Sequence, residues 1–266
     1  MEPPPVAVTI AGSDNSAGAG IQADLKTFTY FRVFGQSVVT CVVAEVPGKV
    51  QTIAPIDAAA VRDQLRLSLD YFPVSAIKTG MLFSKAIIEV VCEVLETIPV
   101  EQRPFLVVDP VMVASSGDRL LEADALEMYR NRLFPLATVV TPNRHETEII
   151  YGHTIETSAE LEAIGPKLVK QFGSSFFLKG GHWSGDLAVD YLATPTRVLR
   201  LAEPFVAAKS THGTGCTLSA ALAAGMALGD DLPAAAHRAK TFVTRAISES
   251  MTWSGRHGPV SALKHW

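Results

Sequence analysis

The sequence predicts an α/β fold built as a three-layer α/β/α sandwich, with a mostly parallel central sheet and an antiparallel edge hairpin. Three observations carry that prediction. Short β-branched runs alternate with longer amphipathic stretches through most of the 266 residues, which is the pattern of repeated βαβ units. Near residue 188 the alternation gives way to two β-type runs separated by Thr194-Pro195-Thr196, the form of a hairpin. No linker, low-complexity tract or internal repeat interrupts the chain, so 1–266 reads as a single domain, long enough to bury a core without staples.

The elements follow in order. Residues 6–11 read as a buried strand, and 21–34 as a helix with Leu25, Phe28 and Phe31 at helical spacing. A second strand is expected at 37–44, then a helix at 61–72 with Val61, Leu65, Leu69 and Phe72 on one face. Strand 74–78 comes next. Three helix-to-strand pairs succeed it: helix 84–97 with strand 105–108, helix 122–133 with strand 137–141, and helix 158–172 with strand 175–179. The hairpin occupies 188–193 and 197–201. Helices at 214–228 and 232–251 precede a tail rich in Gly, His and Pro.

Composition narrows the function. Lys and Arg number 23 against 27 Asp and Glu, a net charge of −4, which excludes proteins whose affinity for nucleic acid or membrane comes from bulk positive charge. Three widely spaced cysteines, Cys41, Cys92 and Cys216, suit a reducing compartment with no disulfide framework. The opening Met-Glu-Pro-Pro-Pro lacks the basic-then-apolar order of a signal peptide, and the most apolar helical stretch, 218–228, is too short to span a bilayer. A cytoplasmic protein without membrane or nucleic-acid partners is expected.

In an open α/β sheet, ligands bind beyond the carboxyl ends of the strands, so the residues just after each strand matter most. After the first strand, Gly18-x-Gly20-x-x-Ala23 formally matches a dinucleotide fingerprint, with Glu45 ending the second strand as a ribose-binding acid would. Six residues separate Ala11 from Gly18, however, where a dinucleotide loop turns directly off its strand. Asp109 follows the fourth predicted parallel strand and Asn143 and Glu146 the fifth. Carboxylates there suit Mg²⁺ held partly through waters, although Asp109 also suits a turn and Glu146 the first turn of a helix. Lys179-Gly180-Gly181-His182 leaves room for a phosphate to meet ammonium and backbone together. Thr211-His212-Gly213-Thr214-Gly215-Cys216-Thr217 runs into an alanine-rich helix, where converging N–H groups and the helix dipole favour an anion. Cys216 in that first turn is expected to have a lowered thiol pKa and to act as a base; the alternative is a small buried hydrophobe. Cys41 and Cys92 sit in apolar runs and read as buried.

These motifs together resemble the hydroxymethylpyrimidine/phosphomethylpyrimidine kinases of thiamine biosynthesis, in the ribokinase-like superfamily that also includes pyridoxal kinases. The resembling segments are 10–14 with 18–28, 77–82, 108–112, 141–143 with Glu146, 179–182 and 212–221, and the tail 255–260 is similar too. By that resemblance Gly213, Thr214, Gly215 and Cys216 form an anion hole over the transferring phosphoryl group, with Cys216 in the base position. Lys179 and Asn143 meet the ATP, Asp109 and Glu146 organise Mg²⁺, and Gly12, Asp24 and Glu45 hold a heterocyclic alcohol. Family members are often homodimers. The chain departs from the family at Glu45, where a glutamine usually reads the ring, at Arg144-His145, where Leu-Pro is common, and at Ser115, where a lysine is frequent. A carboxylate accepts from an amino group but cannot donate to a ring nitrogen unless protonated. The expected activity is therefore ATP-dependent phosphorylation of hydroxymethylpyrimidine or its monophosphate. A pyridoxal kinase is the alternative within the family, and a non-catalytic ligand-binding descendant or an NAD-dependent oxidoreductase the alternative outside it.

Overall fold

The computed structural model describes residues 2–112, 123–181, 183, 185–207 and 211–266. Strand β1 (Val6–Asp14) lies between β2 (Phe34–Val46) and β4 (Val74–Thr79), pairing parallel to both, with Ile10 opposite Val38 on one side and Thr79 on the other. Beyond β4 the parallel sheet continues through β5 (Phe105–Val108), β6 (Val139–Val140) and β7 (Ser175–Leu178). Antiparallel strands finish both edges. β8 (Leu187–Ala193) and β9 (Val198–Pro204) form the expected hairpin beside β7. On the far edge β3 (Lys49–Pro55) pairs antiparallel with β2, completing a nine-stranded sheet in the order β3-β2-β1-β4-β5-β6-β7-β8-β9.

Side chains alternate between two cores because successive strand residues face opposite ways. Val8 and Ile10, Leu106 and Val108, and Phe176 and Leu178 pack on the face covered by α2 (Ala58–Tyr71), α3 (Lys85–Glu96), α6 (Arg144–Tyr151) and α7 (Ser158–Phe172). Also on that face are α4 (Ala123–Met128) and α5 (Phe134–Leu136), joined by a π-helical turn, Tyr129–Leu133. Ala7, Val107 and Phe177 face the other core, under α1 (Gly20–Tyr30), α8 (Thr214–Ala227) and α9 (Leu232–Ser248). Residues 217–226 of α8 are all buried, which accounts for a helix that is apolar all round.

Several boundaries differ from expectation, each for a local reason. The helix expected over 21–34 ends at Tyr30, because Arg32 takes a left-handed φ of 58° and Phe34 opens β2. The short polar strand β3 and the eight-residue α6 carry too little periodicity to be expected from sequence. Residues after α9 form a separate hairpin, β10 (Met251–Gly255) with β11 (Gly258–Ala262), where the sequence suggests helix to 251 and then an irregular tail. No helix among the described residues is long and apolar enough to cross a membrane.

The strand order reverses between β1 and β4, since the chain first adds β2 on one side of β1 and then crosses to the other. Crevices at such switch points, outside the carboxyl ends of the strands, are where this architecture places ligands.

Candidate active site

A cleft of about 1050 Å³ opens along those strand ends. Gly12, Glu45, Asn143, Glu146, Asp109 and Lys179 line it, together with 213–216. Asp24 does not.

The deepest part is assembled from three elements. Asp109, just past β5, is buried, and its Oδ1 accepts from Lys179 Nζ at 2.9 Å and from Thr141 Oγ1 at 3.3 Å. Its Oδ2 accepts from Ser219 Oγ of α8 at 3.2 Å, so a strand end and a helix grip one carboxylate. The first turn of α8 faces the same point. A Cβ built on Gly215 would lie 3.3 Å from Lys179 Nζ and 3.5 Å from Asp109 Oδ2, so the helix N-terminus, an ammonium and a carboxylate converge at one point on the cleft wall. Gly213 caps α8 at φ 82°, and a side chain there would collide with the Gly18 carbonyl oxygen. That contact seats α8 against the loop preceding α1. Burial pulls the Lys179 pKa down, but Asp109 and Glu146 outweigh it and hold the lysine protonated.

Cys216 departs from its expected chemistry. Burial pushes its thiol up to about 11, with Asp24 and Asp109 adding to the rise and Lys78 and the Gly20 N–H opposing it. The helix dipole is outweighed by burial, to which the two carboxylates add. Cys41 and Cys92 are buried as expected.

Asp24 is the second correction. It is fully buried beneath the cleft, where its Oδ2 accepts from Lys78 Nζ at 2.7 Å and from Thr9 Oγ1 at 2.6 Å. Burial raises its pKa and Lys78 works against that rise; its Oδ1 has no hydrogen-bond partner among the described residues. Asp24 is thus turned toward a buried lysine and is not among the residues that line the cleft. Lys78 falls within the resembling segment 77–82 without a role assigned to it there, and its further signal in the sequence is a lone cation in an otherwise uncharged strand.

Glu146 is committed to structure through both oxygens. Oε2 accepts from Asn143 N at 2.9 Å and Oε1 from Met112 N at 3.1 Å, while Asn143 Oδ1 accepts from Glu146 N at 2.9 Å, a reciprocal cap on α6. Burial raises its pKa against the pull of Lys179. Asp109 and Glu146 still present hard oxygen atoms beside a lysine, a donor set that fits a cation bound by one or two carboxylates, waters and phosphate.

Elsewhere along the cleft stands Asp14, which lies in the resembling segment 10–14 without a role assigned to it there. Its Oδ2 accepts from Gly18 N at 3.1 Å, Ala19 N at 2.8 Å, Ser16 Oγ at 3.0 Å and His212 Nε2 at 3.1 Å. Burial would raise this carboxyl, but His212, Ser16 and the backbone N–H groups of Ala19 and Ser16 outweigh it and hold it at about 2. The N–H groups of Gly18 and Ala19, which a pyrophosphate would need, are thus already occupied, against the dinucleotide alternative. Glu45 stands beside this pair: its backbone N donates to Asn15 Oδ1 at 2.6 Å, and Asp14, Glu45 and His212 place one ligand atom each within 4.8 Å of one another. Burial and Asp14 raise the Glu45 pKa while His212 lowers it. Gly12 lies under the same end, where a Cβ would meet Cys41 Sγ at 2.9 Å.

At the Lys179 end of the cleft the expected phosphate approach to the two glycines is altered. The N–H groups of Gly180 and Gly181 both point at Asp190 Oδ1, at 3.0 and 3.4 Å, leaving the Lys179 ammonium as the group turned to the cleft. Arg144 stacks on the Trp183 ring at 5.1 Å. His182 and Ser115 lie outside the described residues.

A family model described as phosphomethylpyrimidine kinase matches residues 14–261. A hydroxymethylpyrimidine/phosphomethylpyrimidine kinase of Streptomyces coelicolor is 42% identical over 258 residues, covering 97% of this chain and 94% of that protein. Among solved structures, an ADP complex of Bacillus subtilis pyridoxal kinase superposes with a TM-score of 0.88 at 36% identity, covering 98% of this chain and 97% of the other. Staphylococcus aureus pyridoxal kinase in complex with AMP-PCP and pyridoxal gives 0.87 at 31% identity, covering 98% and 93%.

Proposed function

The chain belongs to the phosphomethylpyrimidine kinase family, and from that premise we propose that it transfers the γ-phosphoryl group of ATP to the hydroxymethyl group of hydroxymethylpyrimidine, and to the phosphate of the resulting monophosphate, in thiamine biosynthesis. One observation carries the reading: Lys179, Asp109 and the first turn of α8 converge at one point on the cleft wall. Phosphoryl transfer needs little covalent help from a protein and is governed by positioning and charge stabilisation, which that convergence supplies. Nucleotide use is supported by the ADP and AMP-PCP complexes of the two superposed kinases.

In this reading the N–H groups of 213–216 stabilise charge on the phosphoryl oxygens, and Lys179 binds the polyphosphate. The alcohol oxygen bonds to the γ-phosphorus, the bond to the bridging oxygen of ADP breaks, and the hydroxyl proton passes to the Cys216 thiolate. Mg²⁺, held through Asp109 and Glu146 with intervening waters, would supply further neutralisation of phosphate charge. Because the Cys216 thiol sits near 11, only a small thiolate fraction is present at neutral pH. The expected consequence is kcat/KM rising about tenfold per pH unit between pH 6 and 9, and falling by roughly 10²–10⁴ in Cys216→Ala. A flat profile, or full activity in the alanine variant, removes the thiolate from the mechanism.

A second reading, pyridoxal kinase, is favoured by one specific observation, the close superposition on pyridoxal kinases. ADP formation measured with hydroxymethylpyrimidine, its monophosphate and pyridoxal separates the two. Turnover of the pyrimidines with weaker use of pyridoxal supports the proposal; pyridoxal alone supports the second reading; ADP binding with no turnover of any of the three defeats both. We also propose that the protein acts on its small heterocyclic substrate as a homodimer.

A further inference from the structure

The mechanism leaves the buried ion pair of Lys240 and Asp190 unused. Lys240 of α9 is 6% exposed and Asp190 of β8 is 3% exposed, and Lys240 Nζ donates to Asp190 Oδ2 at 2.8 Å. Removing both charges from water is costly, and such pairs can often be replaced by apolar side chains with no loss of stability. Stability alone therefore does not account for this one. The other carboxylate oxygen points to a different role, because Oδ1 accepts from Gly180 N at 3.0 Å and, at longer reach, from Gly181 N at 3.4 Å.

Gly180 and Gly181 follow Lys179 directly, and their turn is tightly constrained. Gly181 takes a left-handed φ of 64°, its carbonyl accepts from Val189 N at 3.1 Å, and a side chain on Gly180 would run into the Val189 carbonyl oxygen. On the preceding side, Lys179 N donates to Pro142 O at 2.9 Å. Lys179 is thus fixed at its own backbone by the β6 end of the sheet, and the turn behind it is fixed by β8 through Asp190. Lys240 supplies the opposite charge to that acceptor in a buried setting, where a lone charge would be costly. Both Asp190 and Lys240 also line the cleft.

We propose that Asp190 and Lys240 form a positioning pair for nucleotide binding: α9 neutralises Asp190, Asp190 orders the Gly180-Gly181 turn, and the turn aims Lys179 at the nucleotide phosphates. The inference rests on the assignment of Lys179 to the nucleotide made above. It gives the pair an effect on nucleotide affinity, with the heterocycle at the opposite end of the cleft unaffected.

Two double variants separate positioning from packing. Asp190→Leu with Lys240→Met replaces the pair by apolar groups and leaves the Gly180 N–H without an acceptor. Asp190→Asn with Lys240→Met also removes both charges but keeps an amide oxygen for that N–H. With ADP binding measured by calorimetry, the Leu/Met protein is expected to bind about tenfold more weakly than wild type, and the Asn/Met protein to recover most of the loss. In steady-state assays KM for ATP rises with the Leu/Met change while KM for the heterocycle stays constant. Gly181→Ala, whose Cβ meets nothing within 4 Å, perturbs the turn by strain at φ 64° without touching the core, and is expected to weaken ADP in the same direction even if the Leu/Met protein fails to fold. Wild-type ADP affinity in Gly181→Ala or in the Leu/Met protein overturns the inference, as does a parallel rise in both KM values. A wild-type protein that does not bind ADP overturns the nucleotide assignment itself, and the inference with it.

Discussion

Gly215 is the residue on which chemistry and packing can be told apart most cleanly. Unlike Gly213, which must be glycine both for its φ of 82° and for its contact with Gly18, Gly215 sits in helical conformation, and a Cβ on it would meet only the Lys179 ammonium at 3.3 Å and Asp109 Oδ2 at 3.5 Å. A methyl group there would press on both groups assigned to the transferring phosphoryl and its metal. Gly215→Ala is therefore expected to lower kcat by about a hundredfold or more with little change in melting temperature, since one misplaced stabilising contact is worth roughly 3 kcal/mol; an unchanged kcat would move the reaction elsewhere in the cleft. Glu45 raises a question of specificity. Its pKa is raised by burial and Asp14, so it gains a proton, and with it a donor, as pH falls. Against a neutral ring nitrogen the carboxylate form leaves acceptor facing acceptor, at a cost of about 1–3 kcal/mol. Glu45→Gln should accordingly raise kcat/KM for hydroxymethylpyrimidine at neutral pH by about tenfold and abolish the gain that the wild type shows toward acid. If the ranking of pyrimidine and pyridoxal does not move between pH 5.5 and 8, Glu45 does not read the ring. Gly215, Lys179 and Asp109 are legible in the sequence because each directly follows a strand or opens a helix, and Glu45 because the sequence ends the second strand one residue before it, although β2 runs on to Val46. Asp14 and Lys78 are less so, since their importance lies in partners 198 and 54 positions away.

Among the elements, those with a long buried stripe are the readable ones. Helix α7 matches its expected bounds because Leu161, Leu168 and Phe172 recur at helical spacing behind the Thr157 cap, and β5 matches because all four of its residues are apolar. Strand β3 escapes because its residues are nearly all exposed on a sheet edge, where no core imposes a period. Helix α6 escapes because eight residues carry few turns of pattern, although its capping box, Asn143 with Glu146 three residues on, is a usable signal. That box makes a test at this scale. Glu146→Gln keeps one oxygen but must present an amide N–H₂ to either Asn143 N or Met112 N, both of which are donors. The variant is expected to lose about 1–3 kcal/mol of stability and to need more Mg²⁺ for half-maximal rate. Denaturant unfolding and a Mg²⁺ titration check the two halves separately; lost stability with an unchanged Mg²⁺ requirement would make Glu146 a helix cap only.

At the scale of the whole molecule, the site is closed by contacts between the two ends of the chain. His212, ahead of α8, bonds Asp14 at the end of β1, and His265 near the C-terminus bonds Thr217 Oγ1 at 2.9 Å in the opening turns of α8. A parallel sheet makes this necessary, because the anion-binding helix comes late in the sequence while the strand beneath it comes first. The Asp14–His212 pair should make stability depend on pH in a defined window. Asp14 is held at about 2 in the fold against 3.8 as a free side chain, so its contribution is present above about pH 4 and is lost as pH falls toward 2. The His212 pKa is raised by its bond to Asp14, so its contribution is complete below 6.5 and is lost as pH climbs through the raised value. The pair therefore stabilises most between about pH 4 and 6.5. His212→Gln removes the charge while keeping a polar side chain facing Asp14, and should lower unfolding free energy by on the order of 1–2 kcal/mol inside that window and by progressively less above it. Chemical denaturation of both proteins at pH 5, 7 and 8.5 measures this difference. A deficit of equal size at all three values would mean that His212 holds the two ends together by shape and hydrogen bonding, with no contribution from its charge.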